Sequence, residues 1–375
     1  MALGVHARRA GPEQGRLTSG AADAGESSRR YALLALPSAN RVYRSAAPGL
    51  ALAELRILAA GPLDDRLTDT GWTQLAGVPY LTFATGPGGA RPDDLAVLAL
   101  LSVYYALFEV QGDLLRPVAV PPAERLDDDL VTVQKYAGKT NEQFTRLLLN
   151  VTAASSAAGP RLAAGGLVVL DPLCGRGTTL NQALLTGHDA VGVEQDGKDV
   201  EAYAAFLRTW LEHKRLKHKA AFGPVRRSGV LLGRRFEAEF AVTKERYRAG
   251  QVQRVTVVHA DTLRTPDFVR PGSVDVVVTD APYGVQHASR AGSSGRTARS
   301  PVALLADALP VWARLLRPGG AVGIAWNTLV APRAELVHLV AAAGLQPLDE
   351  GPYRDLAHRV DQSIVRDVVV ARLPE

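Results

Sequence analysis

Five short apolar runs, each bounded by an acid or a turn, constrain this chain more than any other feature. Leu167–Leu170 ends at Asp171, Ala190–Val193 at Glu194, Arg254–His259 near Asp261 and Val274–Thr279 at Asp280, while Ala321–Trp326 follows Pro318-Gly319-Gly320. Runs that are short, rich in Val and apolar on both alternations suit parallel strands covered on both faces. Helical patterns lie between them, so the reading is α/β: a mostly parallel, doubly wound sheet with ligands at the carboxyl ends of its strands. Upstream, Asn141–Ala154 reads as a helix. Downstream, Ile364–Leu373 has no helix after it and is expected to pair antiparallel with a strand near Gln346–Gly351.

The rest of the chain divides around this sheet. Residues 1–30 are polar and rich in Gly and Ser, without hydrophobic periodicity, and read as a disordered tail lacking the apolar segment of an export signal. Residues 31–122 read as a small α+β unit. Tyr31–Leu36, Arg41–Ser45 and Val78–Phe83 are its expected strands, and Leu50–Ala60 and Asp93–Val110 its expected helices. Pro117, Pro121 and Pro122, then Asp127-Asp128-Asp129, mark a linker to a domain spanning 130–375. The apolar run Leu95–Phe108 is too short to cross a bilayer. One cysteine, Cys174, allows neither an internal disulfide nor a cysteine zinc site, so no metal is expected and a reducing cytoplasm fits.

The formal net charge of +5 favours an anionic partner. Much of the positive charge lies in 207–254, where thirteen Lys and Arg stand against four acids. This basic insertion between the second and third strands reads either as a phosphate-binding surface or as a solvated helical hairpin.

Asp171-Pro172-Leu173-Cys174-Gly175-Arg176-Gly177-Thr178-Thr179 follows the first Val-rich strand and precedes an apolar helix, Leu180–Leu185. Gly175 and Gly177 let the backbone approach a ligand closely, and the helix start offers free amides to an anionic group. Glu194 ends the next strand, where an acid accepts hydrogen bonds from ribose hydroxyls. A dinucleotide site would use the same geometry, but Leu180 stands where its third glycine would be. Cys174 reads as a small pocket-lining residue, since no activating base is near in sequence. Asp261 is placed to accept from an adenine amine, or else is a solvated loop acid.

Val276-Val277-Val278-Thr279-Asp280-Ala281-Pro282-Tyr283-Gly284 ends the fourth strand. The amine of a nucleic-acid base is a poor nucleophile because its lone pair is delocalised into the ring. The Asp280 carboxylate and the Ala281 carbonyl offer two acceptors for the two amine hydrogens, which favours a pyramidal nitrogen. Asp280 can also take the released proton. Tyr283 offers a stacking face worth roughly 1–3 kcal/mol. Methylation at cytosine C5 would need a Pro-Cys nucleophile at this place, and there is none.

These motifs resemble the amino-methyltransferases of nucleic acids, most closely the THUMP-associated RNA methyltransferases and, among them, the tRNA guanine-10 N2-methyltransferase family. The resemblance runs from about Val133 to Leu373 and rests on Asp171-Pro172-x-Cys174-Gly175-x-Gly177-Thr178 and Asp280-x-Pro282-Tyr283-Gly284. It also includes Lys139–Phe144, in the place of the segment that closes over the cofactor. The chain departs from the family at Ala281, where a second Pro is usual.

The resemblance implies a Rossmann-like class I methyltransferase domain, S-adenosylmethionine as cofactor, and guanine N2 of tRNA or another RNA as target. The cofactor set it implies is Thr140, Asn141, Phe144, Asp171, Pro172, Cys174, Gly175, Gly177, Thr178, Glu194, Gln195, Asp261 and Thr262. The catalytic set is Asp280, Ala281, Pro282 and Tyr283. Gly284, His287, Arg290 and Arg296, at and after the tetrad, are expected to contact substrate. Residues 31–122 would then be a reduced THUMP-like RNA-binding unit. DNA adenine-N6 and cytosine-N4 methyltransferases share the tetrad, and a non-catalytic RNA-binding protein could retain the fold. Both alternatives stay open at this point.

Overall fold

The computed structural model describes residues 28–136, 138–281 and 300–375. The first part of the chain folds as β1 (Arg29–Ala35), α1 (Arg41–Ala60), β2 (Thr68–Leu75), β3 (Val78–Thr85), α2 (Pro92–Leu98), β4 (Tyr104–Gln111) and β5 (Leu114–Val118). Its strands form one antiparallel sheet in the order β2-β3-β1-β4-β5. Arg29 and Arg30 belong to β1, against the disorder expected for them; residues 1–27 lie outside the described residues.

Two further expectations for this part fail. Arg41–Ser45 is the first turn of α1, because the Asn40 side chain accepts from the amides of Val42 and Tyr43 and so starts a helix there. Asp93–Val110 is a short helix followed by a strand. Tyr104–Gln111 pairs with β1 on one side and β5 on the other. A short apolar run does not by itself distinguish a strand from a buried helix. Here the open edge of β1, whose backbone groups need partners, decides it.

The second part carries α3 (Asp129–Thr132), α4 (Glu142–Ala154), β6 (Val168–Asp171), α5 (Thr178–Leu185), β7 (Asp189–Glu194), α6 (Gly197–His213), β8 (Lys217–Arg227), β9 (Val230–Ala241), α7 (Lys244–Arg248), β10 (Gln253–His259) and β11 (Val274–Asp280). After these come α8 (Pro301–Ala313), β12 (Leu316–Asn327), α9 (Arg333–Ala342), β13 (Gln346–Leu348), β14 (His358–Arg359) and β15 (Val365–Arg372). The large sheet runs β13-β15-β12-β11-β6-β7-β10-β9-β8, with β14 beside β15. Its centre is parallel, and β15 is antiparallel to both β12 and β13, as expected for the tail.

Alternate residues of the central strands enter different cores. Val169, Val276 and Val278 pack into one, Leu170 and Val277 into the other. The chain winds outward from β6 in one direction and from β11 in the other. The switch point between these neighbours is where such sheets bind ligands.

The first core is continuous between the two sheets. α1 lies against α4, and Asn150 of α4 donates to Glu54 of α1 at 2.7 Å and to the Leu100 carbonyl at 2.6 Å. Glu54 is fully buried, and burial raises its pKa against the opposing hydrogen bonds from Asn150 and Ser102.

Within the basic stretch 207–254, residues 207–213 end α6, 244–248 form α7 and 253–254 open β10, so the insertion proper is the β8–β9 hairpin with α7, a β-hairpin and not a helical one. Phe236, Ala238 and Phe240 are buried while Glu237 is exposed, a period of two that only a strand makes amphipathic. β9 pairs with β10 and extends the sheet. Among the described residues no helix is long and apolar enough to cross a membrane.

Candidate active site

The loop Asp171–Thr178 leaves β6 and enters α5 at the switch point. Gly177 adopts φ +79°, and a Cβ there would lie 2.3 Å from the ring of Tyr203, a fully buried residue of α6. Only glycine lets the loop lie against that ring. Gly175 also has positive φ, but a Cβ on it would meet nothing within 4 Å, so this stretch of backbone faces open space. Cys174 is buried with its sulfur over Gly192 of β7, and burial pushes its thiol pKa up, the opposite of what a nucleophile needs. Pro172 is buried beside it. The Thr178 hydroxyl lies 2.7 Å from the Tyr136 hydroxyl, and the Arg176 guanidinium sits over the Tyr136 ring.

Glu194 ends β7 facing this loop. One carboxylate oxygen accepts from the Gly175 amide and the other from the Asp196 amide, both at 2.8 Å. Burial raises its pKa and these amides oppose the rise. Gln195 is exposed, with its carbonyl 3.1 Å from His259 Nε2. Asp261 caps the 3-10 turn after β10 by accepting from the Leu263 amide, and Thr262 is buried with its hydroxyl 3.0 Å from the Trp312 indole nitrogen.

Asp280 ends β11, one strand over from Asp171. The Thr279 hydroxyl donates to Asp171 Oδ1 at 2.9 Å, which ties the two strand tips together. Asp280 Oδ2 accepts from the Thr140 hydroxyl at 2.7 Å and lies 3.2 Å from Arg366 Nη2. Arg366, on β15, is 5 % exposed, and its guanidinium lies 4.3 Å from the centre of the Phe144 ring. Phe144 is fully buried and also meets His358, so its ring supports Arg366 from below. Asn141 caps α4 by accepting from the Phe144 amide.

Thr140, Asn141 and Phe144 therefore converge on the Asp280 side of the site, while Tyr136 reaches the glycine loop. Buried His358 has its pKa lowered to about 4 by desolvation and is neutral near pH 7. Burial raises the Asp171 pKa to about 7, against hydrogen bonds from Thr179, Leu173 and Thr279.

Ala281 is buried, and its amide donates to the Ala325 carbonyl, which holds the residue after Asp280 against β12. Pro282, Tyr283, Gly284, His287, Arg290 and Arg296 lie outside the described residues. Arg366 is the participant that sequence reasoning did not assign. Its signal was available: a charged residue in a Val-rich buried strand must find a partner.

Residues 161–298 match the family model UPF0020, RMKL-like, methyltransferase domain. That stretch contains the glycine loop, Glu194 and Asp280. The chain carries a Rossmann-like class I methyltransferase domain. Its cofactor is S-adenosylmethionine, and the residues present fit it: glycine backbone open to a ligand, amides at the start of α5, and a strand-end carboxylate for ribose hydroxyls.

No curated protein matches the chain. Among solved structures, TrmN from Thermus thermophilus is 16% identical over 80% of this chain and 57% of its own, with a TM-score of 0.35. The 1,6-didemethyltoxoflavin-N1-methyltransferase of Burkholderia thailandensis is 17% identical over 63% of this chain and 80% of its own, also with a TM-score of 0.35. Likenesses this distant carry no argument about substrate.

Proposed function

We propose that this enzyme methylates an exocyclic amine of a nucleic-acid base, with guanine N2 of tRNA or another RNA as the first candidate. The observation that carries the proposal is the place of Asp280. It is a strand-end carboxylate beside the glycine loop, held by Thr140 and Arg366 and followed by Ala281-Pro282-Tyr283.

A carboxylate has about four acceptor positions over its two oxygens. Asp280 can therefore keep Thr140 and Arg366 while accepting one amine hydrogen, with the Ala281 carbonyl taking the other. The pair orients the nitrogen lone pair and draws charge onto it. Asp280 then receives the proton that the amine loses, directly or through water. S-adenosylmethionine, when bound, supplies an electrophilic methyl group on sulfur. The net charge of +5 supports an anionic polymer as substrate.

The test is incubation of the full chain with methyl-labelled S-adenosylmethionine and either total RNA or genomic DNA, followed by nucleoside mass spectrometry. Label in N2-methylguanosine from RNA is expected. Label confined to N6-methyladenine or N4-methylcytosine from DNA would overturn the RNA guanine reading. No label in either polymer would overturn the whole reading.

A further inference from the structure

The hairpin of β8 and β9 has a role beyond closing the sheet. β9 runs antiparallel to β10, with Arg234 opposite His259, the last residue of β10. His259 is level with Glu194 at the end of β7. Residues 230–233 therefore continue past the carboxyl end of the sheet by about 13 Å at strand rise. On β8, Val225, Arg226 and Arg227 pair with this overhang, and the tip turns through Ser228 and Gly229, both at positive φ. The Leu232 carbonyl accepts from Arg264, and Arg227 donates to the Asp267 carbonyl, so the overhang is braced on the 3-10 turn after β10. This is the end of the sheet that carries Asp171, Glu194 and Asp280.

The chemistry of the tip is distinctive. Residues 223–235 contain four arginines and no acid. Arg226 and Arg227 are exposed, and their hydrogen bonds among the described residues go to main-chain oxygens of Gly229 and Asp267. Directly opposite them on β9 stand Leu231, 54 % exposed, and Val230, 63 % exposed. Two solvated arginines beside two exposed aliphatics suit a nucleic-acid strand: arginines for phosphates, aliphatics for a base face or a gap between bases. In the strand order, β9 is four places from β11, about 19 Å at sheet spacing. With the overhang included, the tip stands about 23 Å from Asp280, so a nucleic acid touching both would span roughly seven base steps along one strand.

We infer that the 225–231 hairpin tip is a docking surface for an RNA substrate, gripping its backbone remote from the base being modified. This rests on the proposed function and deepens it: the enzyme recognises a polymer, not a free nucleoside.

The test uses the full chain, a fluorescein-labelled tRNA transcript made without modifications, and anisotropy titrations across a salt series. The variants are R226A/R227A and V230S/L231S, neither of which touches the glycine loop or Asp280. For R226A/R227A the affinity should fall roughly tenfold near 0.1 M salt, and the log–log salt slope should flatten by about 1.5. V230S/L231S should weaken binding with an unchanged slope. S-adenosylmethionine affinity and melting temperature should stay at wild-type values in both.

Wild-type RNA affinity and salt slope in R226A/R227A would overturn the docking surface. If that variant binds normally while the wild type labels RNA, the surface fails and the chemistry stands. If the wild type binds through the hairpin yet labels nothing, the chemistry fails and the surface stands.

Discussion

The two halves of the candidate site are built by different means. The half proposed to hold the cofactor, Asp171–Thr178 with Glu194, is mostly main chain: two positive-φ glycines, a helix start and amides donated to one carboxylate. The Asp280 half is a side-chain assembly drawn from distant parts of the chain: Thr140 before α4, Phe144 on α4, and Arg366 on β15. A site made of backbone depends on local geometry and tolerates little change in shape. One made of packed side chains depends on charge balance and tolerates changes in size better than loss of a partner.

Gly177→Ala should break the cofactor half most severely. The new Cβ would overlap the buried Tyr203 ring and force a left-handed φ on a non-glycine residue. Strain and overpacking together should cost roughly 2–5 kcal/mol of stability and abolish detectable S-adenosylmethionine binding. Thermal melts and calorimetry check both, and a stable variant with normal cofactor affinity would contradict the packing argument.

Arg366→Met should act on the other half. Removing one member of a largely buried ion pair should cost roughly 3 kcal/mol. Methyl transfer should fall at least tenfold while cofactor affinity stays within about threefold, because the glycine loop is untouched. Arg366→Lys should recover part of the loss. Equal damage to cofactor binding and to transfer would show that the two halves are not separable.

The smallest expected effect is a pH dependence. Asp171 has a folded pKa of about 7 against an ordinary value of 3.8. The folded state therefore holds more protons than the unfolded state between these values. The stabilisation that burial of the neutral acid provides is complete below about pH 4 and is lost as pH rises through 7. His188 and His358, each lowered to about 4, work in the opposite sense, since stability falls as pH drops below 6.5. The difference between wild type and Asp171→Asn isolates the Asp171 share. Relative to the variant, wild type should lose stability between pH 4 and 7. A flat difference would contradict the shift.

The same contrast explains what the sequence discloses. The parallel strands and the glycine loop are legible because each is contiguous, and a Val-rich run ending in Asp171 or Asp280 carries its own signal. Arg366 shows in the sequence only as a charge in a Val-rich buried strand that must find a partner; that Asp280 and Phe144 are what it meets is decided by the fold alone. The hairpin is obscured by its charge: Lys217, Lys219, Arg234 and Arg235 draw attention from the alternation of Phe236, Ala238 and Phe240. Asp93–Val110 is misread because Leu98 and Leu107 suit either a helix or a strand, and only the edge of β1 distinguishes them.

The most direct test of the central claim compares Asp280→Ala with Glu194→Ala, measuring S-adenosylmethionine affinity by calorimetry and methyl transfer under single turnover on the labelled polymer. Asp280→Ala should bind the cofactor as wild type does and transfer methyl at least a hundredfold more slowly. Glu194→Ala should weaken cofactor binding roughly tenfold and regain most of its rate at saturation. Near wild-type transfer by Asp280→Ala would contradict the account.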